Sequence, residues 1–142
     1  MSAVETVFID TNVFLRTLTR EDEQSFAECR HFLASVKTGR FKAYTSPLVL
    51  AEINWVLAKH YGQDKAVVIT ALRSIRQLHH LKLDHQTDID DALTLYEQHT
   101  VKFIDCLLAT QHVVAKKRAV IVSYDTDFDR LGIPRKTPGQ LA

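Results

Sequence analysis

Four carboxylates fall at positions where folding could bring them to one place. They are Asp10, Glu52, Asp105 and Asp125. Asp10 ends the first apolar run of the chain, and Asp125 follows the apolar run at 120–122. Glu52 and Asp105 lie inside apolar segments with helical periodicity, where a charged side chain needs a partner. Because hard divalent cations prefer carboxylate oxygens, four such groups in one pocket predict metal-assisted phosphodiester hydrolysis.

The helical position of Glu52 is unusual for a charged residue. At about 100° per residue, Glu52 falls between Trp55 and Val56 on the apolar side of its predicted helix, whereas Asn54 faces solvent. Asp105 occupies the same kind of position in its own predicted helix. Both carboxylates are therefore expected to be buried, and a buried carboxylate requires a cation or a proton.

The combined charge of the four acids favours a divalent cation. Two carboxylates about 5 Å apart repel by roughly 3 kcal/mol at an effective dielectric of 20. No lysine or histidine accompanies each acid as an evident partner, so one or two Mg²⁺ or Mn²⁺ ions are expected. Zinc is disfavoured because the seven histidines show no paired ligand spacing. Only His112 shares the helical face of Asp105 and is expected near it.

Length and composition predict one domain spanning 1–142. The 142 residues match the usual size of a single domain, and 46% hydrophobic residues are enough for a packed core. A net charge of +1 excludes a strongly basic nucleic-acid binder, although 18 basic residues face only 13 acidic ones once the four acids are set aside. Two cysteines without CxxC spacing, no leader and no membrane-length apolar stretch favour the cytoplasm.

Apolar runs and turn signals predict alternating strands and helices. Ser46 with Pro47 predicts one helix start, and Thr87 with Asp90 predicts another through a capping box. Strands are predicted at 6–9, 42–45, 81–83 and 120–123. Helices are predicted at 12–17, 23–37, 47–60, 65–78, from 87 onward, 102–115 and 127–131.

This alternation predicts an α/β fold with a mainly parallel central sheet. The first and last predicted strands are continuously apolar, which is typical of strands covered by helices on both faces. Ligands of such sheets bind beyond the carboxyl ends of the strands. Asp10 and Asp125 both stand at such ends, so they are expected to lie close together.

Each acid also has a structural explanation when it is considered alone. Asp10 is equally consistent with a helix cap and Asp125 with a turn, but no such explanation covers all four acids. The acids assigned to capping are Asp88, Asp90 and Asp91. The aromatic residues expected to be core anchors rather than base-stacking surfaces are Phe8, Trp55, Phe103 and Phe128.

Four segments surround these acids, in the order 8–12, 46–52, 103–109 and 123–128. Their residues and spacing, over nearly the whole chain, resemble the PIN domain family and, within it, the VapC toxins of prokaryotic toxin–antitoxin pairs. The resemblance implies a three-layer α/β/α sandwich with a mainly parallel sheet. It also implies a Mg²⁺- or Mn²⁺-dependent endoribonuclease, commonly a homodimer, which a cognate antitoxin protein holds inactive.

The resemblance further implies roles for individual residues. The acidic quartet of the family matches Asp10, Glu52, Asp105 and Asp125. The polar positions that support the quartet match Thr11, Asn12 and Ser123. Asp127 is either an outer metal ligand or a turn residue. Cys106 departs from the alanine usual after the third acid, but it is small enough to leave the site intact.

The reaction expected from these assignments is metal-assisted RNA hydrolysis, with Asp10 and Asp105 as the principal ligands. The basic residues expected to hold the RNA backbone are Arg16, Arg20 and Arg130. An antitoxin arginine is expected to enter the acidic pocket from an adjacent groove. Two alternatives stay open: a noncatalytic RNA- or partner-binding module of the same fold, and a phosphotransfer domain with Asp10 as acceptor. The second lacks the further carboxylate that such a site needs at position 12.

Overall fold

One five-stranded sheet organises residues 4–141, the part of the chain that this computed structural model describes. Its strands are β1 (Thr6–Ile9), β2 (Lys42–Thr45), β3 (Leu81–Leu83), β4 (Val120–Val122) and β5 (Arg135–Lys136). Their order across the sheet is β3-β2-β1-β4-β5, and every neighbouring pair is parallel. The expected α/β fold with a parallel sheet flanked by helices is confirmed.

Helices connect the strands. They are α1 (Thr11–Thr19), α2 (Glu23–Lys37), α3 (Pro47–Trp55), α4 (Lys65–Arg76), α5 (Ile89–Gln98), α6 (Phe103–Ala109), α7 (His112–Ala115), α8 (Asp127–Arg130) and α9 (Pro138–Leu141). Helix α3 begins as expected, with Pro47 in its first turn and the Ser46 hydroxyl accepting the Leu48 N–H, and it continues as a wider π-helical turn at Val56–His60. Within residues 4–141, no helix combines the length and apolar character needed to cross a bilayer.

The order in which strands are added to the sheet reverses at β1. Strands β2 and β3 lie on one side of β1, whereas β4 and β5 lie on the other. The Asp10 N–H donates to the Val122 carbonyl oxygen at 3.1 Å, so the segments that leave β1 and β4 start side by side. In open parallel sheets, the crevice at such a reversal is where ligands bind.

The two central strands, β1 and β4, are covered on both faces. Val7, Phe8 and Ile9 are fully buried, as are Ile121 and Val122. Successive side chains of a strand point to opposite faces, so an uninterrupted buried run needs helices on each side of the sheet. Coverage by helices on both faces of the sheet therefore explains the continuous apolar runs in the sequence.

Trp55 is not a core anchor, and the expectation that placed it there is wrong. Its side chain is 63% exposed. The buried side of α3 is formed by Val49 and Ile53, which lie one turn apart. Trp55 comes two residues after Ile53 and therefore faces away from the core. Phe128, in contrast, is fully buried as expected.

The helix expected at 102–115 is interrupted. Gln111 is fully buried, and its side-chain amide donates to the carbonyl oxygens of Asp84 at 3.0 Å and Gln86 at 3.2 Å. These contacts end α6 before Gln111, and α7 starts separately at His112. Because the two helices are not continuous, His112 does not share the face of Asp105, and the expectation based on that shared face is wrong.

Helix α5 is capped by Asp88 rather than by Thr87. The Asp88 carboxylate accepts the Asp91 N–H at 3.0 Å, which satisfies one of the unpaired donors of the first turn. Asp88→Ala is expected to lower the free energy of unfolding by about 1 kcal/mol, and Thr87→Ala by much less. Urea denaturation of both variants checks this assignment; equal losses would contradict it.

Candidate metal centre

Thr11 connects two of the predicted acids. Asp10 caps α1, is only 4% exposed, and accepts the Thr11 N–H on Oδ1 at 2.8 Å. The Thr11 hydroxyl donates to Glu52, a half-buried residue of α3. One residue therefore holds both carboxylates at the carboxyl end of β1.

Ser123 joins this pair to the segment that follows β4. Its fully buried hydroxyl donates to Asp10 Oδ2 at 2.6 Å and accepts the Asp125 N–H at 3.0 Å. It also accepts the Asn12 side-chain Nδ2–H at 3.0 Å, and the Asn12 side-chain oxygen Oδ1 accepts the Tyr124 N–H at 3.2 Å. The ends of β1 and β4 are thus one hydrogen-bonded unit.

Three acids form the tightest group. Asp105, Asp125 and Asp127 each offer an oxygen, and these oxygens lie within 4.8 Å of one another. The Asp127 N–H donates to Asp125 Oδ1 at 2.9 Å, which fixes the loop between them. Asp105 Oδ2 is buried and has no hydrogen-bond partner. An all-oxygen set with an unpartnered buried carboxylate oxygen fits Mg²⁺ or Mn²⁺, which require such ligands.

Burial raises the pKa of Asp10 to about 6. The hydrogen bonds from Ser123 and Thr11 oppose this shift, whereas the charges of Glu52 and Asp125 add to it. The carboxyl group is therefore partly protonated near neutral pH unless a cation is present. Glu52 and Asp125 thus lie close enough to Asp10 to raise its pKa.

Burial also raises the pKa of Asp105. The Lys102 ammonium opposes the shift, and the charges of Asp125 and Asp10 strengthen it. Asp125 behaves differently: partial burial acts against its charged form, but the Asp127 N–H and Lys102 hold its pKa below the ordinary value. Neighbouring carboxyl groups with opposite pKa shifts are a feature of functional sites.

Lys102 is the cation that lies among these acids. Its Nζ is 3.2 Å from Asp125 Oδ2 and 3.9 Å from Asp105 Oδ2, although the side chain is 62% exposed. The expectation that the acids have no neutralising partner is therefore wrong for this pair. A signal was present in the sequence, because Lys102 precedes Asp105 by three residues and side chains at that spacing meet on one helix face.

Replacing Lys102 tests whether a divalent cation can supply the positive charge that this lysine provides to the acids. In EDTA, Lys102→Met is expected to lower the midpoint of thermal unfolding by about 3 °C, because the acids lose their ammonium partner. In excess Mn²⁺ the loss is expected to vanish, since the divalent ion supplies the missing charge. Thermal unfolding by circular dichroism checks both conditions, with the exposed Lys116→Met as matched control. A loss of the same size in Mn²⁺ would contradict this reading of the contact.

Arg135 supports the loop after β4, although nothing in the sequence distinguished it. One of its guanidinium nitrogens donates to the Ser123 carbonyl oxygen at 3.1 Å. The others bind both carboxylate oxygens of Asp129 at 3.0 Å. This bidentate pair fixes the guanidinium group, which in turn holds the backbone that presents Asp125.

The three arginines expected to hold RNA lie in different environments. Arg16 stacks on the Tyr124 ring, with 4.9 Å from its guanidinium carbon to the ring centre, and is therefore next to the loop of the acids. Arg20 pairs with Glu23 at the end of α1. Arg130 donates to a backbone carbonyl at 3.1 Å. Their contact with RNA stays a prediction.

Comparison with known proteins gives one family and one group of folds. The sequence model of the PIN domain matches residues 7–134. VapC20 from Mycobacterium tuberculosis, a sarcin–ricin loop cleaving toxin, superposes with a TM-score of 0.63 at 18% identity, covering 89% of this chain and 95% of that one. VapBC-1 from nontypeable Haemophilus influenzae gives 0.63 at 16% identity, covering 94% and 98%.

A third structure, VapBC2 from Rickettsia felis bound to a promoter DNA fragment, superposes with a TM-score of 0.62 at 14% identity, covering 93% of this chain and 98% of that one. No curated protein matches the sequence. At these identities the structural likeness establishes the fold, and the chemistry has to be argued from the residues themselves.

Proposed function

Because the chain belongs to the PIN domain family, we propose that it is a Mg²⁺- or Mn²⁺-dependent endoribonuclease and the toxin of a toxin–antitoxin pair. The observation that supports this most is the acid cluster of Asp105, Asp125 and Asp127 at the reversal of the sheet, in which the buried Asp105 Oδ2 has no hydrogen-bond partner. The whole chain is proposed as one domain. The proposed compartment is the cytoplasm, because Cys29 and Cys106 are both free and buried.

In this proposal the acids hold one or two cations. The residues closest to a common point are Asp105, Asp125 and Asp127, and Asp10 and Glu52 lie beside them. A bound ion would lower the pKa of a water molecule and stabilise charge on the phosphate. Ser123 keeps one oxygen of Asp10 in place, and Thr11 orients Glu52. These two hydroxyls preorganise the carboxylates, so that little rearrangement is needed when a cation enters.

The direct test is cleavage of a fluorescent single-stranded RNA by the purified chain. Cleavage is expected with Mg²⁺ or Mn²⁺. It is expected to stop in EDTA, because the acids alone offer no Lewis acid that could polarise the phosphate. Cleavage that continues unchanged in EDTA would end the metal-dependent mechanism.

A noncatalytic RNA- or partner-binding module is the second candidate. The position of Lys102 favours it, because an internal ammonium can neutralise acids that no longer hold a metal. The complete acidic quartet argues against it. Calorimetric titration with Mn²⁺ decides between the two, since a module without a metal site should bind no Mn²⁺ at the cluster.

We also propose an antitoxin protein as partner. Two of the similar structures are VapBC assemblies, which favours a protein partner for this chain as well. A groove of about 530 Å³ between α1, α2 and α4 has an apolar wall that includes Phe14, Leu18 and Leu33. Helix α1, which forms one side of this groove, starts at Asp10. Growth arrest on expression alone, relieved by the neighbouring gene product, tests the pairing.

A homodimer is proposed from an exposed stripe on α5. Ile89, Leu93 and Tyr96 follow one another at helical spacing and are 53%, 48% and 50% exposed. Leu93→Glu is expected to raise the dimer dissociation constant at least about tenfold, because a charge would be buried in the contact. Light scattering after size exclusion measures the mass. Thr94→Glu, one residue away from the stripe, is the control and should leave the dimer intact; a monomeric wild type would contradict the proposal.

A further inference from the structure

A cavity of about 590 Å³ lies against the sheet, away from the acid cluster. Its walls come from β2, the segment after β3, and α7 with the residues that follow it. Lys42 and Tyr44 point into it from alternate positions of β2, whereas Ala43 and Thr45 on the opposite face are buried. This part of the sheet therefore has one face that helices leave open.

The cavity is lined by four basic side chains. They are Lys42, His85, His112 and Lys117. Among residues 4–141, none of the four belongs to an ion pair. Lys42 and Lys117 carry positive charge, and unpaired cationic groups that converge on one concavity raise the local concentration of anions there.

The acid in the cavity wall is bound by backbone N–H groups. Asp84 is buried, and its two carboxylate oxygens accept the Gln86 N–H at 3.1 Å and the Val113 N–H at 3.0 Å. Asp84 therefore ties two walls of the cavity together and, in the part of the chain that the structure describes, forms no ion pair with the basic residues that line it. This contact makes the cavity a fixed feature of the fold rather than a gap between mobile side chains.

The remaining chemistry of the cavity suits single-stranded nucleic acid. Tyr44 is half-buried in the wall and presents an aromatic surface next to Lys42. Basic groups that follow a backbone, together with an aromatic side chain on which a base can stack, are the usual components of single-strand binding sites. A polypeptide partner with acidic residues would satisfy the charges but would make no use of the ring.

The cavity is also within reach of the acid cluster. Strand β3 lies two strands from β1 in the sheet, which is roughly 10 Å at the usual strand spacing. The segment after β3 leaves from the same edge as Asp10. We propose that this cavity binds phosphates of the RNA strand that flanks the bond cut at the acid cluster. The inference rests on the proposed function, because it takes RNA as the substrate.

Binding without cleavage tests the inference. The dissociation constant of a labelled single-stranded RNA is measured in EDTA over a range of KCl concentrations, for the wild type and for the double variant Lys42→Gln/Lys117→Gln. Loss of two phosphate contacts is expected to weaken binding about tenfold at moderate salt and to reduce the slope of log affinity against log salt by about 1.4. The matched control is Lys59→Gln/Lys65→Gln, which removes the same charge from exposed lysines outside the cavity.

Equal affinities and slopes for the two double variants would overturn the inference. So would an unchanged slope for RNA combined with weakened binding of an acidic peptide, since that outcome would assign the cavity to a protein. Cleavage in Mg²⁺ is measured separately on the wild type. Lysine-dependent RNA binding without any cleavage would overturn the proposed function alone, whereas cleavage with slopes that do not depend on Lys42 and Lys117 would overturn only the cavity assignment.

Discussion

Asp105→Asn and Asp10→Asn are each expected to reduce metal-dependent RNA cleavage about a thousandfold or more. A thousandfold corresponds to about 4 kcal/mol of transition-state stabilisation, which is the order that a bound cation supplies by polarising a phosphate and its attacking water. An amide is a weaker and uncharged ligand, so the cation is held less tightly. Initial rates on a fluorescent RNA, with Mn²⁺ in excess, measure the effect.

Asp105→Asn is the more informative of the two variants. Asp105 Oδ2 has no hydrogen-bond partner, so the amide removes a negative charge without breaking a hydrogen bond at that atom. The lost contact with Lys102 is offset by the lost repulsion from Asp125 and Asp10, so the metal-free variant should be about as stable as the wild type while its activity is lost. Both oxygens of Asp10, in contrast, accept hydrogen bonds from Thr11 and Ser123. Asp91→Asn, an exposed acid of α5, is the control, and undiminished cutting by Asp105→Asn would rule out the metal mechanism.

The free energy of unfolding of the metal-free protein is expected to fall as the pH rises from about 4 to about 8. The pKa of Asp10 is about 6 in the folded chain against an ordinary 3.8. Between these values the folded state binds more protons than the unfolded state, so raising the pH destabilises it. A shift of this size corresponds to about 3 kcal/mol, fully lost once the pH exceeds the folded-state value. The raised pKa of Asp105 extends the fall to higher pH.

Excess Mn²⁺ is expected to reverse this slope. The ion binds only deprotonated carboxylates, so its affinity rises with pH and it stabilises the folded state more at pH 8 than at pH 5. Urea unfolding across this range, with EDTA or with Mn²⁺, measures both curves. Asp105→Asn should give a shallower metal-free curve, because one of the two responsible acids is absent. Parallel curves with and without Mn²⁺ would show that no ion binds at these acids.

Strands β1 to β4 could be located from short-range pattern alone. β1, β2 and β3 begin and end where the sequence predicted, because each is a short apolar or alternating run between turn residues. The proximity of Asp10 to Ser123 and Asp125 required only one further rule, that parallel strands share a carboxyl edge. The catalytic roles of these residues stay predictions, since geometry alone does not assign a reaction.

Features that depend on distant contacts could not be predicted. The break between α6 and α7 is made by Gln111 with backbone carbonyls far back in the chain, so helical periodicity continued through it. Strand β5 consists of Arg135 and Lys136 and carries no apolar signal; it is a strand because it pairs with β4. Trp55 was misplaced because helical periodicity put it on the apolar side of its helix, beside Glu52, whereas the buried side is formed by Val49 and Ile53.

The acid cluster draws on segments from almost opposite ends of the polypeptide. Ser123, which fixes Asp10, and Asp125, which completes the cluster, both follow the last central strand. During synthesis, the cluster therefore cannot be completed until Ser123 and Asp125 have left the ribosome. The assembled cluster is therefore absent from unfinished polypeptides and from any product truncated before this point.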